Sequence, residues 1–127
     1  MGAQRPRPVV LDAGALIAIE RADRRVVRLL ELADQVHVPG AVLAQVWRNP
    51  ARQVRLVRVL AAEPVIITPL DGDEARAVGQ VCGATGTSDI ADASVAVLAR
   101  RVDGVVVTSD PDDLHRIDPG LDLVHVN

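Results

Sequence analysis

Three short apolar runs constrain the fold most strongly, because none of them alternates polar with apolar residues. They are Val9-Val10-Leu11, Val65-Ile66-Ile67 and Val105-Val106-Val107. Runs of this kind are typical of strands that are buried on both faces, as in parallel sheets covered by helices on each side. Stretches with helical spacing of apolar residues separate the runs, and such alternation favours an α/β architecture. The sequence therefore predicts a three-layer α/β/α sandwich with a mostly parallel sheet of about five strands.

The chain is 127 residues long, the size of one domain, so residues 1–127 are expected to form a single domain with a flexible tail at 1–7. Strands are predicted at 9–11, 36–38, 65–67, 105–108 and 121–126. Helices are predicted at 13–21, 24–33, 41–48, 51–62, 71–82, 90–101 and 111–117, with a loop at 83–86. No apolar run approaches the length of a membrane span, and we expect a cytoplasmic protein.

The composition excludes several mechanisms. All 14 basic residues are arginine, and Trp47 is the single aromatic residue. Lysine-dependent sites, including those of phosphoacceptor receiver domains, are therefore excluded, as is a set of aromatic side chains that stack on bases. No G-x-G-x-x-G stands in the sequence to bind a dinucleotide. Gly14 occupies the position where a haloacid-dehalogenase-type phosphatase would need a second aspartate.

Two aspartates follow predicted strands directly. Asp12 comes after the first strand and Asp110 after the strand at 105–108. Ligands of open parallel sheets bind beyond the carboxyl ends of the strands, so the two carboxylates meet if their strands are neighbours. An aspartate after a strand is also a common helix N-cap, and this alternative stays open for each of them.

A third aspartate, Asp92, lies in the first turn of a helix that is apolar on nearly every face. A carboxylate buried there needs the helix amides, an arginine or a cation as a partner. Asp89 as cap and Asp92 at the third helical position would be a purely local alternative. Converging carboxylates repel one another unless a divalent cation holds them, and oxygen ligands suit Mg²⁺ or Mn²⁺. The set therefore predicts metal-assisted attack of water on a phosphodiester.

In order and spacing, three segments of the chain resemble the PIN-domain ribonucleases, specifically the VapC-type toxins of bacterial toxin–antitoxin pairs. The segments are Val9-Val10-Leu11-Asp12-Ala13-Gly14-Ala15-Leu16-Ile17-Ala18, Ile90-Ala91-Asp92-Ala93 and Val105-Val106-Val107-Thr108-Ser109-Asp110. The resemblance implies that Asp12, Asp92 and Asp110 are the catalytic Mg²⁺ ligands, with Mn²⁺ as an alternative ion. It also implies that Asp113, or the adjacent Asp112, is an accessory acid.

One position departs from the family pattern. The family usually carries a glutamate on the helix after the second strand, where this chain has Gln45. An amide oxygen can coordinate a metal, but it brings no charge and cannot act as a base. Asp89 is the first candidate to compensate, as a further metal ligand, and Glu20 is the second. A weak or inactive PIN-like module that binds RNA or a partner protein is the alternative function.

The segment from Gln45 to Ala62 contains no acid but four arginines: Arg48, Arg52, Arg55 and Arg58. Arginine binds phosphate with a forked geometry, so this segment is a candidate RNA contact, chiefly through Arg48, Arg52 and Arg55. A solvated face, or a surface that pairs with an acidic antitoxin tail, are the alternatives. By the resemblance, the partners are an RNA substrate, a small cognate antitoxin and a second copy of the chain.

Overall fold

A computed structural model describes residues 7–126 of the chain. The five strands are β1 (Val9–Leu11), β2 (Val36–Pro39), β3 (Val65–Thr68), β4 (Val105–Thr108) and β5 (Leu123–His125). The seven helices of the described part are α1 (Ala13–Glu20), α2 (Arg24–Leu32), α3 (Gly40–Val46), α4 (Val54–Ala61), α5 (Gly72–Thr85), α6 (Ile90–Val102) and α7 (Pro111–Ile117). The predicted α/β sandwich is confirmed.

The strands form one parallel sheet in the order β3-β2-β1-β4-β5. The chain first moves outward from β1 to β3 and then returns to β4 and β5 on the other side of β1. Because parallel crossovers are right-handed, this reversal places α1, α2 and α4 on one face of the sheet and α5 to α7 on the other, while α3 packs against both α1 and α6. The reversal lies between β1 and β4, and ligands of such sheets bind at the carboxyl ends of the strands that flank it.

The burial of the strands corrects one expectation. β1 and the end of β4 are buried on both faces, as predicted, but β3 is an edge strand. Ile66 and Ile67 point to opposite faces of the sheet and are 43% and 42% exposed. β2, in contrast, is fully buried although it contains His37. An apolar run therefore indicates a strand, but only the strand order decides which strands lie inside the sheet.

Other boundaries also differ from the sequence prediction. The predicted loop at 83–86 is wrong, because α5 continues to Thr85 and ends at Gly86, whose φ of 76° is left-handed. The helix predicted at 51–62 begins only at Val54, and the strand predicted at 121–126 is limited to Leu123–His125. The guanidinium of Arg7 donates to Asp122 at 2.6 Å. Residues 1–6 of the predicted tail lie outside the described part of the chain. Among the described helices, none is long and apolar enough to cross a membrane.

Candidate active site

Asp12 is buried at the carboxyl end of β1, with only 4% of its surface exposed. Its Oδ1 accepts a hydrogen bond from the backbone N–H of Ala15 at 2.8 Å, so it does cap α1. Its Oδ2 accepts a hydrogen bond from the hydroxyl of Thr108. Burial raises the pKa of Asp12, and these hydrogen bonds oppose the rise. Capping alone does not exclude a place in the site, because each carboxylate oxygen has two lone pairs.

Thr108 connects the two strand-end aspartates and was not singled out from the sequence. Its side chain is fully buried, and its hydroxyl donates to Asp12 while accepting from the backbone N–H of Asp110 at 2.8 Å. The pairing of β1 with β4 makes this link possible, because Leu11 lies opposite Val107. A polar residue at the last position of an otherwise apolar strand is the sequence signal that could have identified it.

Gly14 allows the start of α1 to approach the chain after β4. A Cβ built on Gly14 would lie 1.8 Å from the Oγ of Ser109 and 2.7 Å from its Cβ. Any side chain at this position therefore requires a shift of Ser109. Since Ser109 stands between Thr108 and Asp110, the close contact fixes the relative position of the two aspartates.

Among the described carboxyl groups, Asp92 has the largest shift of its pKa. It lies partly buried in the first turn of α6, and no described residue donates a hydrogen bond to its side chain. Burial raises its pKa to about 7, and repulsion from Asp89, Asp12, Asp113 and Asp110 adds to the effect. The structure thus brings the charges of five aspartates to one crevice at the switch between β1 and β4.

Asp89 is the N-cap of α6, as the local alternative predicted. Its Oδ1 accepts a hydrogen bond from the backbone N–H of Asp92 at 2.9 Å. The cap uses the backbone of Asp92 and leaves the carboxylate of Asp92 unpaired among the described residues. The capping arrangement therefore explains Asp89 but does not explain the carboxylate of Asp92.

Asp110 lies at the exposed start of α7, close to Asp113. A hydrogen bond between their carboxyl groups is the main cause that raises the pKa of Asp110. Asp113 also forms an ion pair with Arg116 at 2.7 Å. Asp112 is exposed and acts on Asp110 only through charge, so Asp113 is the acid that the structure places beside Asp110.

Gln45, at the position of the family glutamate, and Glu20, the second candidate to compensate for it, are placed differently. Gln45 lies exposed on α3, which packs against both α1 and α6, the helices that carry Asp12 and Asp92. Glu20 lies at the opposite end of α1 from Asp12, where its carboxylate accepts a hydrogen bond from Gln53. The structure therefore keeps Gln45 on an element of the site and leaves Glu20 outside it.

The donor chemistry of the crevice fits a divalent cation. Asp12, Asp92 and Asp110 offer carboxylate oxygens, and the raised pKa of Asp92 reflects its burial together with the negative charge of the neighbouring aspartates. In the conformation described for residues 7–126, no three His, Cys, Asp or Glu side chains are gathered closely enough to form a ready ligand set. The donor atoms are therefore of the type that a divalent cation prefers, but in this conformation the described carboxylates are not close enough together to coordinate one ion.

The three arginines that were predicted to contact RNA differ in their surroundings. Arg48 donates to the backbone carbonyls of Ala44 at 3.0 Å and Trp47 at 2.6 Å, so its guanidinium is held against its own helix. Arg55 donates to the carbonyl of Glu20 at 3.2 Å. Arg52 is exposed and makes no side-chain hydrogen bond to a described residue.

The parallel order of the strands and the acidic crevice at their switch point define an α/β domain with a carboxylate site. The chain matches the PIN domain family over residues 9–119 and belongs to that family. Its fold is similar to that of VapBC2 from Rickettsia felis bound to a promoter DNA fragment, with a TM-score of 0.71 and 18% identity over 94% of this chain and 99% of that one.

Two further solved structures share the fold. FitAcB from Neisseria gonorrhoeae has a TM-score of 0.60 and 19% identity, over 92% of this chain and 96% of that one. VapBC-5 from Mycobacterium tuberculosis, described as a member of the VapBC toxin–antitoxin family, has a TM-score of 0.57 and 21% identity, over 95% of this chain and all of that one. No curated protein matches the chain in sequence.

Proposed function

We propose that the chain is a metal-dependent endoribonuclease of the VapC type, a toxin that cleaves RNA and is neutralised by a cognate antitoxin. The observation that carries the proposal is Asp92, a carboxylate without a partner among the described residues, whose pKa burial and four neighbouring aspartates raise to about 7. A divalent cation bound among these carboxylates would relieve their repulsion. The membership in the PIN family supports a nuclease.

In this proposal Asp12, Asp92 and Asp110 hold Mg²⁺, for which Mn²⁺ is the alternative. A bound cation of this kind neutralises the carboxylates and stabilises negative charge on the phosphate that is attacked. Thr108 orients Asp12 and fixes the backbone of Asp110. Asp113, which lies beside Asp110, is the accessory acid in this proposal.

The proposal also covers the protein partners of the chain and its location. The neighbouring structures named VapBC support a small antitoxin as partner. We propose that residues 1–127 act as one domain, in the cytoplasm, and that two copies form a dimer. The groove between α3 and α4 supports a protein contact, since it is apolar and contains the partly exposed Trp47 together with Leu43 and Ile67.

RNA cleavage by the purified full chain tests the enzymatic part. We expect the wild type to cleave RNA with Mg²⁺ and to lose this activity in EDTA, while Asp92→Asn stays inactive with Mg²⁺ present. Equal cleavage by the wild type and Asp92→Asn would contradict the proposal. No cleavage by either, with RNA or antitoxin binding retained, would favour the inactive binding module, for which the neutral Gln45 is the supporting observation.

A further inference from the structure

The arginines of this chain divide into two groups by their ion pairs. Every described arginine outside residues 21–58 pairs with an acid: Arg7, Arg76, Arg100, Arg101 and Arg116. Those within 21–58 form no ion pair with any described residue. All of them are exposed, and Arg48 follows α3. The other seven lie on α2 and α4 or in the turns before these helices: Arg21, Arg24, Arg25, Arg28, Arg52, Arg55 and Arg58. These seven are called the arginine surface below.

The arginine surface has members on both α2 and α4. The groove that these helices share is apolar at Val27 and Val59 and also carries Glu31 and Glu63, so the arginines lie outside it. Both helices begin beside Glu20, because α2 follows it in sequence and Arg55 of α4 donates to its carbonyl. The cavity around Glu20 is lined by Arg52, Arg55 and Arg58.

Three of these arginines lie where a helix dipole disfavours a cation. A helix N-terminus carries a partial positive charge and favours acids in the first turn, as α5, α6 and α7 show. α4 has Arg55 in its first turn and no acid there, and α2 begins with Arg24 and Arg25, although its cap, Asp23, accepts from the backbone N–H of Arg25. The seven guanidinium groups, none with an ion pair to a described residue, give this part of the chain an excess of positive charge that suits a polyanion.

The arginine surface lies away from the carboxylates. Asp12 caps the first turn of α1 and Glu20 is its last residue, so the eight-residue helix separates them by about 12 Å. That distance corresponds to about three or four nucleotides of a stacked strand. A phosphate bound at the arginine surface is therefore not the one attacked at the carboxylates.

We infer that the arginine surface is an anchoring site for RNA phosphates several nucleotides from the cleaved bond. The inference rests on the proposed function, because it assumes that RNA is the substrate. The anchor offsets the repulsion between RNA and the acidic crevice in a chain whose net charge is −3. Long RNA binds through both regions, whereas a dinucleotide is too short to span the distance between them.

Binding is measured by fluorescence anisotropy with a labelled single-stranded RNA of about 20 nucleotides, on Asp92→Asn chains that do not cleave it. The test variant adds Arg28→Ala and Arg58→Ala, whose side chains make no hydrogen bond to described residues. The matched control adds Arg76→Ala and Arg100→Ala, which remove the same charge from the ion-paired group. Circular dichroism checks that both variants keep their helices.

We expect the test variant to bind the RNA about five- to tenfold more weakly, with the slope of log K against log salt reduced by about 1.4. The control keeps the slope of its parent. In chains with Asp92 restored, we expect the test variant to have a higher KM for the long RNA with kcat unchanged. Its KM for a dinucleotide should equal that of the parent.

An unchanged affinity and salt slope in the test variant would overturn the anchoring site, although salt-dependent binding by the parent would still support RNA as substrate. Loss of antitoxin binding without loss of RNA binding would also overturn it and assign the surface to an acidic protein. If the parent chain binds no RNA at all, the proposed function itself fails, because RNA is then not its substrate.

Discussion

Replacing Asp92 by asparagine is expected to stabilise the metal-free protein while it abolishes cleavage. The rise of the Asp92 pKa from 3.8 to about 7 corresponds to at most about 4 kcal/mol of destabilisation when the carboxylate is ionised. Asp92 is partly exposed, so solvent screening reduces this to about 1–2 kcal/mol. Asparagine loses the favourable interaction of a charge with the start of α6, about 0.5 kcal/mol. A net gain of about 0.5–1.5 kcal/mol remains.

The pH dependence has a defined sign. The folded state binds the proton of Asp92 more tightly than the unfolded state, so the wild type loses stability as the pH rises from about 4 to about 7. Asp92→Asn lacks this loss. The advantage of the variant is therefore largest above pH 7 and shrinks as the pH falls to about 5.

Urea unfolding in EDTA at several pH values measures this difference. Asp73→Asn is the matched control, because Asp73 lies in the first turn of α5 but is exposed and outside the carboxylate cluster. We expect Asp73→Asn to be neutral or slightly destabilising. Added Mg²⁺ should raise the stability of the wild type and leave Asp92→Asn unchanged, because a ligand stabilises only the state that binds it. A variant that is no more stable than the wild type at pH 8, or whose advantage does not depend on pH, would refute the reasoning.

Three other substitutions test the arrangement around Asp12. Thr108→Val leaves the N–H of Asp110 and the carboxylate of Asp12 without their partner; it should cost about 1–3 kcal/mol in urea unfolding and reduce RNA cleavage, and Thr108→Ser should restore both. Gly14→Ala should reduce the free energy of unfolding by about 1–3 kcal/mol. Ser109→Ala should rescue it only in part, because the Cβ of Ser109 also lies too close. Gln45→Glu should tighten Mg²⁺ binding in a calorimetric titration, and an unchanged titration would mean that the other acids already complete the site.

The sequence predicted the carboxylate site more completely than it predicted the strand environments. Asp12 and Asp110 follow apolar strands, and their positions at strand ends follow from local pattern alone. Their proximity required that β1 and β4 pair, which the structure confirms. Their roles as metal ligands stay a prediction, since the side chains are not gathered as a closed ligand set.

Other features depended on contacts between distant parts of the chain. The exposure of Ile66 and the burial of His37 follow from which strand is at the edge, and the residue types alone do not specify strand order. Thr108 acquires its importance only because β4 lies beside Asp12. The division of the arginines into paired and unpaired groups likewise depends on which helices lie side by side.

The sequence by itself determined the α/β architecture, most helices and the aspartates that follow strands, because these depend on hydrophobic periodicity and capping within a few residues. The tertiary structure decided which aspartates meet, and that Glu20 stays outside the site while Asp113 lies next to Asp110. It also decided that α2 and α4 carry one positive surface. Side-chain burial and charge depend on neighbours that are far away in sequence, so only the folded chain fixes them.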